Sequence, residues 1–398
     1  MAALAGDGLW KLLESVPSRC ILVCGLVVFL TAVYTQVVSR EATAKRHAGT
    51  PQEKTSPAAD AALEPLPDLD WKAVEPTKYM PVKPVYHITM GKTLLFLCVP
   101  NLVPWLASPL TASQALQQDA PSNLVTVDRD YLDRVTLRRR LIEQKGSTVH
   151  GCLARGREAV AEVYSYLLKD HLPVRYPTMF RLSADRSVFQ NKVTGKSFPA
   201  DPPADCAAGL RALGETIEED LFLLHGTPDG HLCVAFVCCF PAGFDPSAKM
   251  GRLLMDIHAP VPSYGKIGSS VERFFAKLQV GKSVKRLNWT VQTDDELCKL
   301  GSHTHDDKAA GPDNNRSIDI EKTFVRVELQ TLTRLPETRA ILFSFKTYLY
   351  SLCEVKREGS GPELADAIEG LQSGNAPGMW SYKSAGRWAR TVCEYLRS

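Results

Sequence analysis

Between Phe324 and Arg334 the chain reads FVRVELQTLTR, and a period of two puts Val325, Val327, Leu329 and Thr331 on one face of a strand. Arg326, Glu328, Gln330 and Leu332 fall on the other. A second strand is predicted from Ala340 to Leu352, and the short break at Leu335–Thr338 (LPET) joins the two as a long antiparallel hairpin. Leu232–Phe240 and Leu287–Gln292 are further strand candidates. Elsewhere the period is helical. Val160, Val163, Tyr164, Leu167 and Leu168 form one apolar stripe, and Ile267, Val271, Phe274, Phe275 and Leu278 form another. A third helix is predicted to open at Pro362, behind Ser360 and Gly361, with Leu364, Ile368 and Leu371 facing inward.

Two runs have no period because they carry almost nothing polar. Cys20 to Val38 is 19 residues without a charge, bounded by Arg19 and Arg40, which is enough for one transmembrane helix. A cleaved signal peptide is the competing reading, but its apolar core would be shorter and end at a small-residue site. The basic residues Arg40, Lys45, Arg46 and Lys54 after the span outnumber Lys11 and Arg19 before it, which places the body in the cytosol. Leu94 to Leu110 is the second run, and Pro100, Pro104 and Pro109 disfavour a spanning helix there. An apolar insertion packed on the domain and a second membrane contact both remain open. Residues 41–70 mix Pro, Ala and charge with no apolar period and read as linker. The expected organisation is an N-terminal flank (1–19), an anchor (20–38), a disordered linker (39–70) and one large domain (71–398). An endoplasmic-reticulum or other endomembrane setting follows from a single-pass anchor with a cytosolic body.

Composition changes this picture little. In 398 residues, 44% are apolar and 23% charged, as in a folded globular protein. The formal charge of +3 is too balanced for nucleic acid to be bound by electrostatics alone. Eleven cysteines are odd in number, and Cys233, Cys238 and Cys239 sit in the apolar run HLCVAFVCCF, which favours reduced buried thiols over a disulfide framework.

Several chemistries are excluded. The chain has no P-loop, no dinucleotide-binding glycine motif and no Cys-x-x-Cys pair, so electrons for any redox reaction would come from another protein. His303, His305, Asp306 and Asp307 lie in a Gly, Asp and Asn-rich stretch and read as a solvated loop before a metal site. Two segments set polar groups against stiff apolar ones. In Ile257–Pro262 (IHAPVP) two prolines are expected to hold the backbone after His258 extended and fix the imidazole's direction, for a ligand or for a hydrogen-bonded core histidine. On the polar face of the long strand, Arg326 and Glu328 either pair with each other or meet an anionic ligand, with Arg334 at the strand's end.

Taken together, Leu172–Phe180 (LPVRYPTMF), Lys249–Gly251 (KMG), Ile257–Pro262, Arg286–Trp289 (RLNW), Val325–Pro336 and Ile341–Tyr348 (ILFSFKTY), with an opening at Tyr86–Gly91 (YHITMG), resemble the haem-dependent oxidative N-demethylase, alpha-subunit-like family over residues 72–352. The resemblance implies an α+β domain with a PAS-like antiparallel sheet and packed helices, binding haem b. It further implies O2-dependent removal of a methyl group from a small secondary amine, fed by a separate electron-donating reductase. His258 is then the axial-ligand candidate, with His87 next, and Arg286, Arg326 and Arg334 are candidates for the haem propionates. Glu328 would steer the substrate ammonium or orient Arg326. The family usually has arginine where Leu329 stands, so a charged contact to cofactor or sheet is missing. Thr93–Gln118 has no family counterpart, and its proline-punctuated composition is that of translated non-coding sequence, so it is expected to be dispensable or absent. A haem-binding sensor or carrier without turnover is the rival reading, because PAS-like folds often serve sensing; a domain that has lost the cofactor is the third.

Overall fold

The computed structural model describes residues 63–78, 116–301 and 318–398. Its strands are β1 (Gln117–Asp119), β2 (His150–Cys152), β3 (Phe180–Leu182), β4 (Val188–Asn191), β5 (Ser197–Pro199), β6 (Asp220–Thr227), β7 (Gly230–Val237), β8 (Ser283–Gln292), β9 (Phe324–Arg334) and β10 (Ile341–Ser351). Seven of them make one antiparallel sheet in the order β1-β8-β9-β10-β6-β7-β2, while β3-β4-β5 form a small separate sheet. With the helices packed on it, this is the expected α+β architecture.

The β9–β10 hairpin forms where the alternation predicts it, with Arg334 opposite Ile341 and Phe324 opposite Ser351. The helical stripes also fold as helices, at Arg157–Ser165, Gly268–Lys277 and Gly361–Ser373. Register then sorts side chains into two faces. On one, Trp289, Val327, Leu329 and Tyr348 pack under helices Gly361–Ser373 and Ala385–Arg397, and Leu221, Leu223 and Leu342 join a core with helices Tyr131–Lys145 and Arg157–Ser165. On the other, Phe222, Leu224, Phe236, Leu332 and Phe345 are covered by Leu254, Phe275 and Leu278 around helix Gly268–Lys277.

A buried ion pair ties the sheet to its first long helix. Arg138 is 0% exposed and pairs with Asp220, while its remaining donors reach the carbonyls of Gly214, Glu218 and Glu219. Asp220 also accepts from the amides of Cys239 (2.7 Å) and Phe240 (2.9 Å). Every charge is matched, which is what makes burial of both tolerable.

Three expectations change. The linker reading fails for its last residues: Leu66 and Leu69 pack against the core, and the Leu66 amide bonds the Arg175 carbonyl at 2.8 Å. Two leucines give this short strap enough apolar burial to dock. The last residues of the Thr93–Gln118 stretch enter β1, where Gln117 and Gln118 pair with Lys285 and Val284. Third, Cys152 and Cys206 form a disulfide, whereas Cys233, Cys238, Cys239, Cys298 and Cys393 are free and buried. The pair lies 54 residues apart, a proximity that composition could not reveal.

The anchor Cys20–Val38, the run Leu94–Leu110, His47, His87, the 303–307 loop and Asn315 lie outside the described residues. Among the described residues no helix is long and apolar enough to cross a membrane.

The Arg138 pair yields the first test. Replacing Asp220 by Ala leaves a buried guanidinium without its counter-ion, and a stability loss of about 3–5 kcal/mol is expected in chemical denaturation. A loss below about 1 kcal/mol, the range of exposed pairs, would contradict the assignment.

Candidate functional site

His258 follows directly on the short helix Leu254–Ile257. That helix is fixed to the sheet because the preceding residues pair with β7: the Cys233 amide donates to the Arg252 carbonyl at 3.0 Å, and the Gly251 amide donates to the Cys233 carbonyl at 2.9 Å. Gly251 has φ +75°, a left-handed conformation that glycine adopts without strain. The prolines after His258 do not extend the chain. It turns instead, with the Val261 amide on the His258 carbonyl at 2.9 Å, because proline's fixed φ serves a turn as readily as an extended segment.

The imidazole's chemistry follows from one contact. Nδ1 lies 3.0 Å from the Leu254 carbonyl oxygen, which can only accept, so Nδ1 carries the proton. Nε2 is thereby left with its lone pair. Burial pushes the pKa down to about 4, with Arg286 and Lys249 acting in the same direction, so the ring is neutral at physiological pH. Its plane is set by Tyr264, stacked at 4.6 Å between centroids and 12° between planes.

Across from this loop, β8 and β9 present polar groups in register: Arg286 opposite Gln330, and Asn288 opposite Glu328. Arg286 Nε donates to Gln330 Oε1 at 2.8 Å, Gln330 Nε2 to Glu328 Oε2 at 3.0 Å, and Asn288 Nδ2 to the same oxygen at 3.2 Å. Glu328 is 6% exposed, and its Oε1 has only a 3.8 Å approach from Arg326 Nε. Behind it, Lys383 donates to the Trp289 carbonyl, and burial brings its ammonium down to about 8 while Glu328 acts to raise it.

The expected arginines separate. Arg286 is exposed and, among the described residues, uses only Nε. Arg326 is 1% exposed and spends its terminal nitrogens on the carbonyls of Phe240 (2.5 Å) and Leu297 (3.0 Å) and on Gln292. Arg334 bonds the carbonyls of Leu278 (2.5 Å), Arg339 (2.6 Å) and Phe275, capping the end of helix Gly268–Lys277. Carbonyls at a helix C-terminus carry partial negative charge and hold a guanidinium well. Neither Arg326 nor Arg334 therefore has a fork to offer a carboxylate ligand, and both propionate assignments are corrected.

Two buried polar atoms here have no hydrogen-bond partner, Tyr264 Oη and Arg326 Nε. Tyr264 escaped sequence reasoning, although its position six residues after His258 was a usable signal. Lys383 carried none. Leu329 lies on the opposite face, packed with the core around Trp289 and Val327, so the substitution does not touch this site.

Because the folded-state pKa of His258 lies below its ordinary value of 6.5, the unfolded chain takes up this proton first as pH falls. Its contribution to stability is intact above about pH 6.5 and is eroded toward pH 4. Ring 15N shifts of the ligand-free protein are expected to show a neutral, Nδ1-protonated His258 from pH 8 down to about pH 5. A titration midpoint near 6.5 would contradict the burial of the ring, and an Nε2-protonated ring would contradict the hydrogen bond to Leu254.

The family described as haem-dependent oxidative N-demethylase, alpha subunit-like, matches residues 115–393, more than two thirds of the chain. The match begins where β1 begins and includes β9, β10 and the His258 loop. The chain belongs to the haem-dependent oxidative N-demethylase alpha-subunit-like family.

Proposed function

We propose that this protein binds haem b through His258 Nε2 and uses it to remove a methyl group from a small secondary amine. The observation that carries the reading is the His258 ring: neutral, held through Nδ1 by a main-chain carbonyl and stacked on Tyr264, with the lone pair of Nε2 uncommitted. An axial imidazole needs this combination of fixed plane, fixed tautomer and partner on the other nitrogen. Arg286, with its terminal nitrogens free, suits a propionate. The unpartnered Tyr264 hydroxyl is what a polar ligand group would leave behind when absent. The PAS-like fold implied by the family resemblance is consistent with the broad seven-stranded antiparallel sheet.

Bound haem supplies O2 activation; overall, a secondary N-methylamine, O2, two electrons and two protons give formaldehyde, the demethylated amine and water. The chain's own residues orient and select. Glu328, held through Oε2 by Asn288 and Gln330, offers Oε1 to the substrate ammonium. Lys383 lies close enough to Glu328 for the carboxylate to favour its charged form. Electrons come from a separate reductase, in keeping with a family named after a subunit. We further propose that Cys20–Val38 anchors the body to an endomembrane. The basic residues after the span argue for a cytosolic body, and the Cys152–Cys206 bridge argues for an oxidising compartment. An N-glycan on Asn315 would exclude the cytosol.

The haem-loaded full chain, given reductant and O2, is expected to release formaldehyde from a small secondary N-methylamine. Glu328→Gln should raise KM for the amine about 10- to 100-fold, the worth of one hydrogen bond to a charged group. Haem retention without formaldehyde from any N-methylamine would leave the sensor or carrier reading instead.

A further inference from the structure

Tyr264 is placed by its backbone. Its amide bonds the Val261 carbonyl at 3.1 Å, its carbonyl accepts from the Ile267 amide at 2.9 Å, and Ser263 before it holds a left-handed φ of 62°. Its ring lies against His258. Among the described residues nothing holds the hydroxyl: the residue is 7% exposed, and Oη has no hydrogen-bond partner there. Phenylalanine would keep the stack without the cost of an unsatisfied buried hydroxyl, so the oxygen calls for a role outside the fold.

We infer that the Tyr264 hydroxyl donates a hydrogen bond to a haem propionate, making it a second recognition group beside Arg286. This rests on the haem reading above. Three observations decide the ligand group. First, Arg286 and Glu272 act electrostatically on both His258 and Tyr264, so the hydroxyl lies within the field of the one candidate guanidinium that the fold does not consume. Glu272 does not compete, because its carboxylate is taken by the His231 amide and by His231 Nδ1 at 2.5 Å. Second, the hydroxyl meets no acceptor among the described residues, so its hydrogen is left to donate to an anion. Third, a ring stacked face to face on an axial imidazole lies on the imidazole's side of the macrocycle. It therefore has no access to O2 or amine on the opposite side, and the carboxylates at the macrocycle's edge are the anionic groups in reach.

The test titrates the full-length protein in detergent with haem and with haem dimethyl ester, which lacks propionate charge. Tyr264→Phe is expected to keep or slightly raise the melting temperature, keep the Soret position, and weaken haem binding about 10-fold or more. The dimethyl ester should bind wild type and variant alike. Equal haem affinity in wild type and variant would overturn the proposal, as would an equal loss for haem and ester or a lowered melting temperature without a haem effect. Wild-type protein that takes up no haem removes the underlying reading and the proposal with it.

Discussion

A strand buried on both faces can carry charge on one of them only if the charge is matched, and β9 lives under that constraint. Val325, Val327 and Leu329 seal one face into a dry core. On the other, Arg326, Glu328 and Gln330 are almost wholly removed from water, and desolvation without partners would cost several kcal/mol per group. The sheet answers residue by residue. Arg326 draws the Phe240 and Leu297 carbonyls toward it, and Glu328 is gripped by Asn288 and Gln330. The same Phe240 segment gives its amide to Asp220, which pairs with Arg138. One polar row thus organises the connection after β7 and the connection after β8, and it carries the buried Glu328 carboxylate.

This arrangement divides arginines that the fold consumes from one that it leaves largely unused. A guanidinium bonded to two or three main-chain carbonyls cannot be lent to a ligand without breaking what it holds, and this is the condition of Arg326 and Arg334. Arg286 sits on β8 beyond the dry part of the sheet and, among the described residues, hydrogen-bonds only Gln330. Its neighbours His258 and Tyr264 belong to a loop held against β7 by backbone pairing, so a site on that loop inherits the rigidity of the sheet.

Much of this was legible in the amino-acid sequence, for a local reason. The period of β9 and β10 lies in contiguous residues, so both strands, their hairpin and the segregation of Leu329 from Glu328 followed from alternation alone. His258 stood out because its segment is family-typical and punctuated by proline. What could not be read depended on distant chain. Arg334 is consumed by carbonyls near Phe275 and Leu278, Arg326 by that of Phe240, and Cys152 finds Cys206 only after the chain has folded. The docking of Leu66 and Leu69 against the core was hidden in the same way, because linker composition says nothing about two leucines meeting a prepared surface. The turn at Pro260 failed for a different reason, since proline fixes φ but leaves ψ open.

The central claim is that His258 Nε2 is an iron ligand made ready by the Leu254 carbonyl. Titration of the full-length protein with ferric haem, followed at the Soret band and compared with His258→Ala, tests it most directly. The account predicts saturation at one haem per chain with an imidazole-type spectrum, and in the variant a lost or strongly shifted band in a protein that still unfolds cooperatively. Equal haem content and an unchanged spectrum in the variant would contradict it.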